Sequence, residues 1–142
     1  MPENTRTARQ TVELMLHALA HNDRETIDAV YSPDVVVTNP FAPDGVPARV
    51  EGAEELKARR KDYAGLWRYE SVENVTLHET ADLEVVIAEF TVTGTVTASA
   101  NPFRLSFVTV MRIVDGLITE SRDYSDGVRT ANLFAEIQPA AG

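Results

Sequence analysis

The sequence predicts an α+β domain, a group of helices followed by a run of antiparallel strands. Three observations predict it. Apolar residues recur at helical spacing near the start of the chain, and the period changes to two after residue 70. The chain is 142 residues long, the usual size of one domain with one core.

From Thr7 to Ala20, Val12, Met15, Leu16 and Leu19 fall on one face of an amphipathic helix. Asn22-Asp23 breaks that helix and caps a second, Arg24–Tyr31, which ends before Ser32-Pro33. Asp34–Asn39 (DVVVTN) is β-branched and predicts a strand. Pro40 to Pro47 holds three prolines and a glycine and predicts a loop. Gly52 precedes a third helix, Ala53–Leu66. Four antiparallel strands follow: Ser71–Glu79, Leu83–Thr97, Phe103–Val114 and Leu117–Ser125. Ala81-Asp82, Ala98–Pro102 and Asp115-Gly116 supply the turns, and Val128–Ile137 ends the chain as a short helix or tail. In this order a curved sheet wraps one long helix, and residues 1–142 read as a single domain.

Composition narrows the function. Hydrophobic content of 44% fits a globular protein, and no apolar run of about 18 residues predicts a membrane span. The first residues, Met-Pro-Glu-Asn-Thr-Arg, lack the apolar centre of a secretory signal, and there is no cysteine; a cytoplasmic protein is expected. A net charge of −9 argues against nucleic acid. The basic run Lys57-Ala-Arg-Arg-Lys61 follows Glu54 and Glu55 and reads as an ion-paired helix face. His17, His21 and His78 make no metal-binding motif, so no metal site is expected.

The last strand, "TESRDYSDG", is unusual because neither of its faces is simply apolar. One carries Leu117, Thr119, Ser121, Asp123 and Ser125; the other carries Ile118, Glu120, Arg122 and Tyr124. A carboxylate therefore stands on whichever face looks inward.

The element order resembles the SnoaL-like branch of the nuclear transport factor 2-like superfamily. So do the phrases "ALAHNDRETIDAVYSPDVVVTNPF", "RVEGAEELKA" and "DGLITESRDYSDG". The superfamily includes ketosteroid isomerases, scytalone dehydratases, limonene-epoxide hydrolases, polyketide cyclases and phenazine-biosynthesis A/B proteins. The resemblance implies a cone-shaped, mostly antiparallel sheet around the long N-terminal helix, with a central apolar pocket, commonly in a homodimer. It directs Thr119, Ser121 and Asp123 toward the pocket, and it matches Asp123 to an acidic residue proposed as acid/base in the phenazine-type proteins. The ketosteroid isomerase set does not carry over: its base, its oxyanion-hole tyrosine and its protonated aspartic acid match Asn39, Met15 and Thr109. The Asp/Arg/Asp set of limonene-epoxide hydrolases and the histidine pair of scytalone dehydratase have no evident match.

Asp123 thus has two readings, a pocket acid/base or a strand-end carboxylate bonded to a backbone amide or Arg122. Burial among apolar groups would raise its pKa toward neutrality, where proton transfer is effective. Asn39 can orient substrate or water through its amide but cannot act as a base; capping the loop before Pro40 is its plain alternative. Met15, Phe41, Tyr63, Trp67, Phe90, Phe103 and Phe107 are candidates to line the pocket, with Thr109 and Ser121 adding hydroxyls. Arg59, with Arg60 beside it, is the candidate to meet an anionic substrate at the mouth. His17 and His78 read as surface residues.

No P-loop, dinucleotide fingerprint or Ser-His-Asp arrangement is present. The expectation is therefore cofactor-free acid/base chemistry (isomerisation, cyclisation, dehydration or epoxide opening) on a hydrophobic, polyketide-like small molecule. The rival is a non-catalytic accessory protein that binds a ligand in the same pocket.

Overall fold

In the computed structural model of the chain, which describes residues 5–137, the first helix begins at a capping box. The Thr7 hydroxyl accepts from the Gln10 amide, and the Gln10 side chain accepts from the Thr7 amide, satisfying two donors that a helix start leaves open. This helix, α1 (Ala8–Ala20), buries Val12, Met15 and Leu16. Asn22 then adopts the left-handed conformation (φ 53°) and turns the chain into α2 (Arg24–Ala29), which Asp23 caps by accepting from the Thr26 amide.

The second helix is shorter than predicted, and the strand after it starts sooner. Strand β1 spans Tyr31–Thr38, so Tyr31, Ser32 and Pro33 are extended. The cause is long-range. Tyr31 pairs with Ile118 of the last strand, and the Ile118 amide donates to the Val30 carbonyl. Pro33, which has no N–H to give a ladder, falls in the register irregularity between Tyr31 and Val36.

After the loop comes β2 (Arg49–Glu51), which was not predicted; it pairs antiparallel with β1 and buries Val50. Helix α3 (Ala53–Asp62) stops four residues short of the predicted Leu66, and a turn with Gly65 at φ 82° leads into β3 (Trp67–Glu79). Strands β4 (Val85–Val96), β5 (Pro102–Val114) and β6 (Leu117–Ser125) follow, then α4 (Gly127–Glu136). The predicted strands at these positions agree within two residues, except that β3 begins four residues before Ser71.

The six strands form one curved sheet in the order β2-β1-β6-β5-β4-β3. All neighbours are antiparallel except β1 and β6. Alternation gives the sheet a concave apolar face, with Val86, Ala88, Phe90 and Val92 from β4 and Leu105, Met111 and Ile113 from β5. Met15, Val37, Phe90 and Leu105 are buried in this core, and Leu19 and Phe107 pack against it.

The break in alternation that bears on the cavity is in β6. Arg112 pairs with Glu120 but Ile113 pairs with Ile118, leaving Thr119 as an extra residue. This bulge exchanges the two faces. Ile118, expected outside, is fully buried, and Thr119 leaves the pocket side to donate its hydroxyl to the Arg112 carbonyl at 3.3 Å. Beyond the bulge, Ser121 and Asp123 resume the inward direction.

Candidate active site

Between the concave face and the helices lies a cavity of about 720 Å³, within the range of small-molecule sites. Met15 and Leu19 of α1, Phe90 and Val92 of β4, and Phe107 and Met111 of β5 give it apolar walls. The Phe90 and Phe107 rings stack with centroids 5.3 Å apart. Helix α3 and the turn after it bring Arg60, Tyr63 and Trp67 to the opposite side. Tyr63, Trp67 and Phe134 of α4 form a ring cluster there, with centroids 5.3–6.4 Å apart.

The polar groups converge on Asp123. It stands opposite Thr109 in the β5–β6 ladder, and both line the cavity. Ser121, on the same face of β6, donates its hydroxyl to the Asp123 carboxylate at 2.5 Å. Asp123 is half-buried. Burial pushes its pKa from 3.8 up to about 6, and the Ser121 hydrogen bond opposes the rise. The Thr109 hydroxyl is buried and is the one buried side-chain polar atom, among the described residues, without a hydrogen-bond partner. An unsatisfied donor beside a cavity is a place for a ligand atom.

Tyr31 completes this group. Its phenol points inward and donates to the Met15 sulfur at 3.7 Å. Burial, and then the Asp123 charge, push it up to about 12, with Arg60 opposing, so it stays a protonated donor at neutral pH. Arg60 is fixed by Asp28 at 2.8 Å and lies over the Tyr31 ring, 5.5 Å from its centroid.

Of the residues predicted for the site, Asp123, Met15, Tyr63, Trp67, Phe90, Phe107, Thr109 and Ser121 line the cavity. Four do not. Asn39 is spent on the loop: its amide donates to the Ala48 carbonyl at 2.8 Å and its side chain to the Pro47 carbonyl at 3.3 Å. Phe41 is 67% exposed and packs edge-on against Tyr124, on the convex side of the sheet. Arg59 pairs with Glu55 one turn back at 3.1 Å, and its neighbour Arg60, about 100° round the helix, faces the cavity instead. Phe103 lies behind the wall, its ring filling the space left by Gly94 and meeting Tyr69 at 6.1 Å.

Tyr31 was missed because Ser-Pro after it reads as a helix stop. The same proline disfavours helical backbone just before it, which was the available signal for an extended Tyr31. Asn22, Arg24, Arg68 and Tyr69 also line the cavity; the alternation of Trp67-Arg68-Tyr69-Glu70 was the available signal for Tyr69. His78 pairs with Glu89, and His17 stacks on His21, all outside the cavity.

Comparison with known proteins agrees with this architecture. The family model for a SnoaL-like domain matches residues 12–121. The uncharacterized protein YesE of Bacillus subtilis (strain 168) is 31% identical over 117 residues, covering 82% of this chain and 80% of that protein. An uncharacterized PhzA/B-like protein of Pseudomonas aeruginosa is 27% identical over 132 residues, covering 91% of this chain and 93% of that one. The crystal structure of a candidate isomerase from Bacillus subtilis superposes with a TM-score of 0.83 at 28% identity, over 92% of this chain and 96% of that one. That of a candidate polyketide cyclase from Pseudomonas putida KT2440 gives 0.76 at 21% identity, over 90% and 98%, a likeness of fold alone. The chain belongs to the SnoaL-like domain family, with the fold its structural neighbours share.

Proposed function

We propose that the chain is a cofactor-free acid/base enzyme, an isomerase or cyclase that acts in the cytoplasm on a hydrophobic, polyketide-like small molecule. Asp123 is its proton carrier. The observation that carries this reading is a half-buried carboxylate, raised to about 6, on the wall of an apolar cavity beside an unpartnered hydroxyl. At neutral pH such a carboxylate is largely ionised yet basic enough to take a proton from carbon next to a carbonyl. The developing negative charge on the substrate oxygen needs donors already in place, and the Thr109 and Tyr31 hydroxyls in the cavity lining are assigned that role. Return of the proton to another atom completes an isomerisation; attack of the carbanion on a second carbonyl carbon of the folded substrate, whose C=O π pair moves to oxygen and takes the proton back from Asp123, completes a cyclisation. The stacked Phe90 and Phe107 rings favour a flat, unsaturated body. The likeness to a candidate isomerase supports the same class. Two copies are proposed to join through the convex face of the sheet.

Deuterium incorporation in heavy water tests the chemistry without a known product. Hydrophobic cyclic ketones and β-dicarbonyls are incubated with the protein and followed by mass spectrometry. Exchange beyond the buffer rate is expected, with Asp123→Asn reducing it by about 10²–10⁴-fold. Exchange at the unmodified rate in Asp123→Asn rejects the assignment. Tight binding across the panel with no exchange in either protein supports the accessory-protein reading.

A further inference from the structure

The charges around the cavity say more about its ligand. The chain carries 22 acidic against 13 basic residues, so an arginine without a partner is uncommon in it. Seven of its eleven arginines meet a carboxylate, from Arg9 to Arg129, and Arg6 donates to the Gly116 carbonyl. Among the described residues, Arg24, Arg68 and Arg122 have no such partner. Arg122 stands on the outward side of β6. Arg24 and Arg68 both line the cavity, and both are exposed, so they form part of its rim.

A side-chain clamp ties together the two segments that carry them. The Asn22 side chain donates to the Tyr69 carbonyl at 2.8 Å and accepts from the Tyr69 amide at 2.9 Å. These bonds tie the turn between α1 and α2 to the start of β3. Arg24 is two residues past the clamp on one side, and Arg68 one residue before it on the other. Arg60, held by Asp28, lines the same cavity. Asp123, on β6, is the one acidic residue in the lining.

We propose that the ligand of this cavity is a carboxylate. Its apolar body lies between the aromatic walls, and its charged end rests at the rim on Arg24 and Arg68, with Arg60 adding to the field. Guanidinium forks match a carboxylate in geometry as well as in charge. The arrangement also fixes direction. A second carboxylate beside Asp123 would be repelled, so the anionic end stays at the rim and the uncharged, reacting end goes inward. The inference rests on the cavity being the ligand site and is independent of whether Asp123 moves a proton.

Calorimetric titration with three acids and their neutral alcohols tests it: 2-naphthoate with 2-naphthylmethanol, cinnamate with cinnamyl alcohol, and decanoate with decanol. At about pH 8 and low salt, at least one acid is expected to bind about tenfold or more tighter than its alcohol, the effect of one charge-assisted hydrogen bond. The Arg24→Gln/Arg68→Gln double variant should lose that preference and keep its affinity for the alcohol, while Arg122→Gln keeps both. Equal affinity within every pair, or a preference that survives in the double variant, overturns the proposal. Asp123→Asn should retain the preference for the acid; its loss in that variant would also count against a rim site. Because affinity is read rather than turnover, failure here leaves the proton-transfer reading standing. Loss of exchange in Asp123→Asn with the acid preference intact supports both.

Discussion

Asp123 is kept in the fold at a cost that depends on pH. Its carboxyl titrates near 3.8 in the open chain and at about 6 in the folded protein. Below 3.8 it is neutral in both states and costs nothing. Between the two values the folded state binds more protons, so stability falls as pH rises, and the full cost is present above 6. A gap of about two units corresponds to about 3 kcal/mol. Asp123→Asn, which keeps the shape and an acceptor for Ser121, should therefore melt roughly 5–10 °C higher than the native chain above pH 7. Below about pH 4 the two should melt together; an unchanged gap across that range would mean the carboxyl is not desolvated. The same ionisation predicts activity that falls below an apparent pKa near 6, and a pH profile of kcat/KM checks it. Asp123, Ser121 and Thr109 were legible because strand alternation and the superfamily resemblance agreed on their direction. Arg59 was chosen over Arg60 for the same task, and one step along a helix, about 100°, is below what a charged run can resolve. Asn39 failed for a different reason: loop hydrogen bonds to Ala48 and Pro47 claim it, and those partners become visible only in the folded chain.

Local pattern and long-range pairing compete along the strands, and Gly94 shows which wins in β4. A Cβ added there would stand 2.4 Å from the Arg68 carbonyl oxygen and 2.4 Å from the Phe103 ring. The ring can shift; the backbone carbonyl cannot. Gly94→Ala should therefore destabilise the protein by about 2–3 kcal/mol, read as a lower denaturant midpoint. Adding Phe103→Leu should restore only part of it, and full restoration would assign the strain to the ring alone. Since Arg68 begins the rim of the cavity, the same variant should also weaken ligand binding. The boundaries of β6 were legible because the turn at Asp115-Gly116, where both residues take positive φ, fixes its start. Its bulge was not, because the extra residue is defined against Arg112 and Ile113 on the neighbouring strand. Strand β2 has three residues, too few to show a period. Strand β3 has no fully buried residue; its first four positions, Trp67-Arg68-Tyr69-Glu70, do alternate and pair with β4, but extending the third helix to Leu66 left them outside the predicted strand.

The convex face gives the assembly its own argument. On it Glu89 is tied to His78, and Arg112 to Asp82 and Glu84, so the charges of this face are largely neutralised within one chain. Thr91 is buried and shares a hydrogen bond with Ser106 at 3.0 Å. Left uncovered are Val108, 39% exposed, and Phe41, 67% exposed, whose ring meets Tyr124. They edge a shallow depression of about 440 Å³ that also includes Ser106 and Asp126. An apolar centre inside a self-neutralised margin suits an isologous contact, where each residue enters twice. Two copies each carrying −9 repel one another, so the dimer should weaken as salt falls below roughly 0.1 M. Light scattering at micromolar concentration and physiological salt should give twice the 15.6 kDa chain mass. Val108→Asp places two like charges at the centre of the contact and should yield monomers. That change lies on the face opposite the cavity, so the monomers should bind ligand as the native chain does. A mass of 15.6 kDa for the native chain under these conditions would refute the dimer. Monomers of Val108→Asp that had lost ligand binding would mean instead that the two faces of the sheet are coupled, and that assembly shapes the cavity.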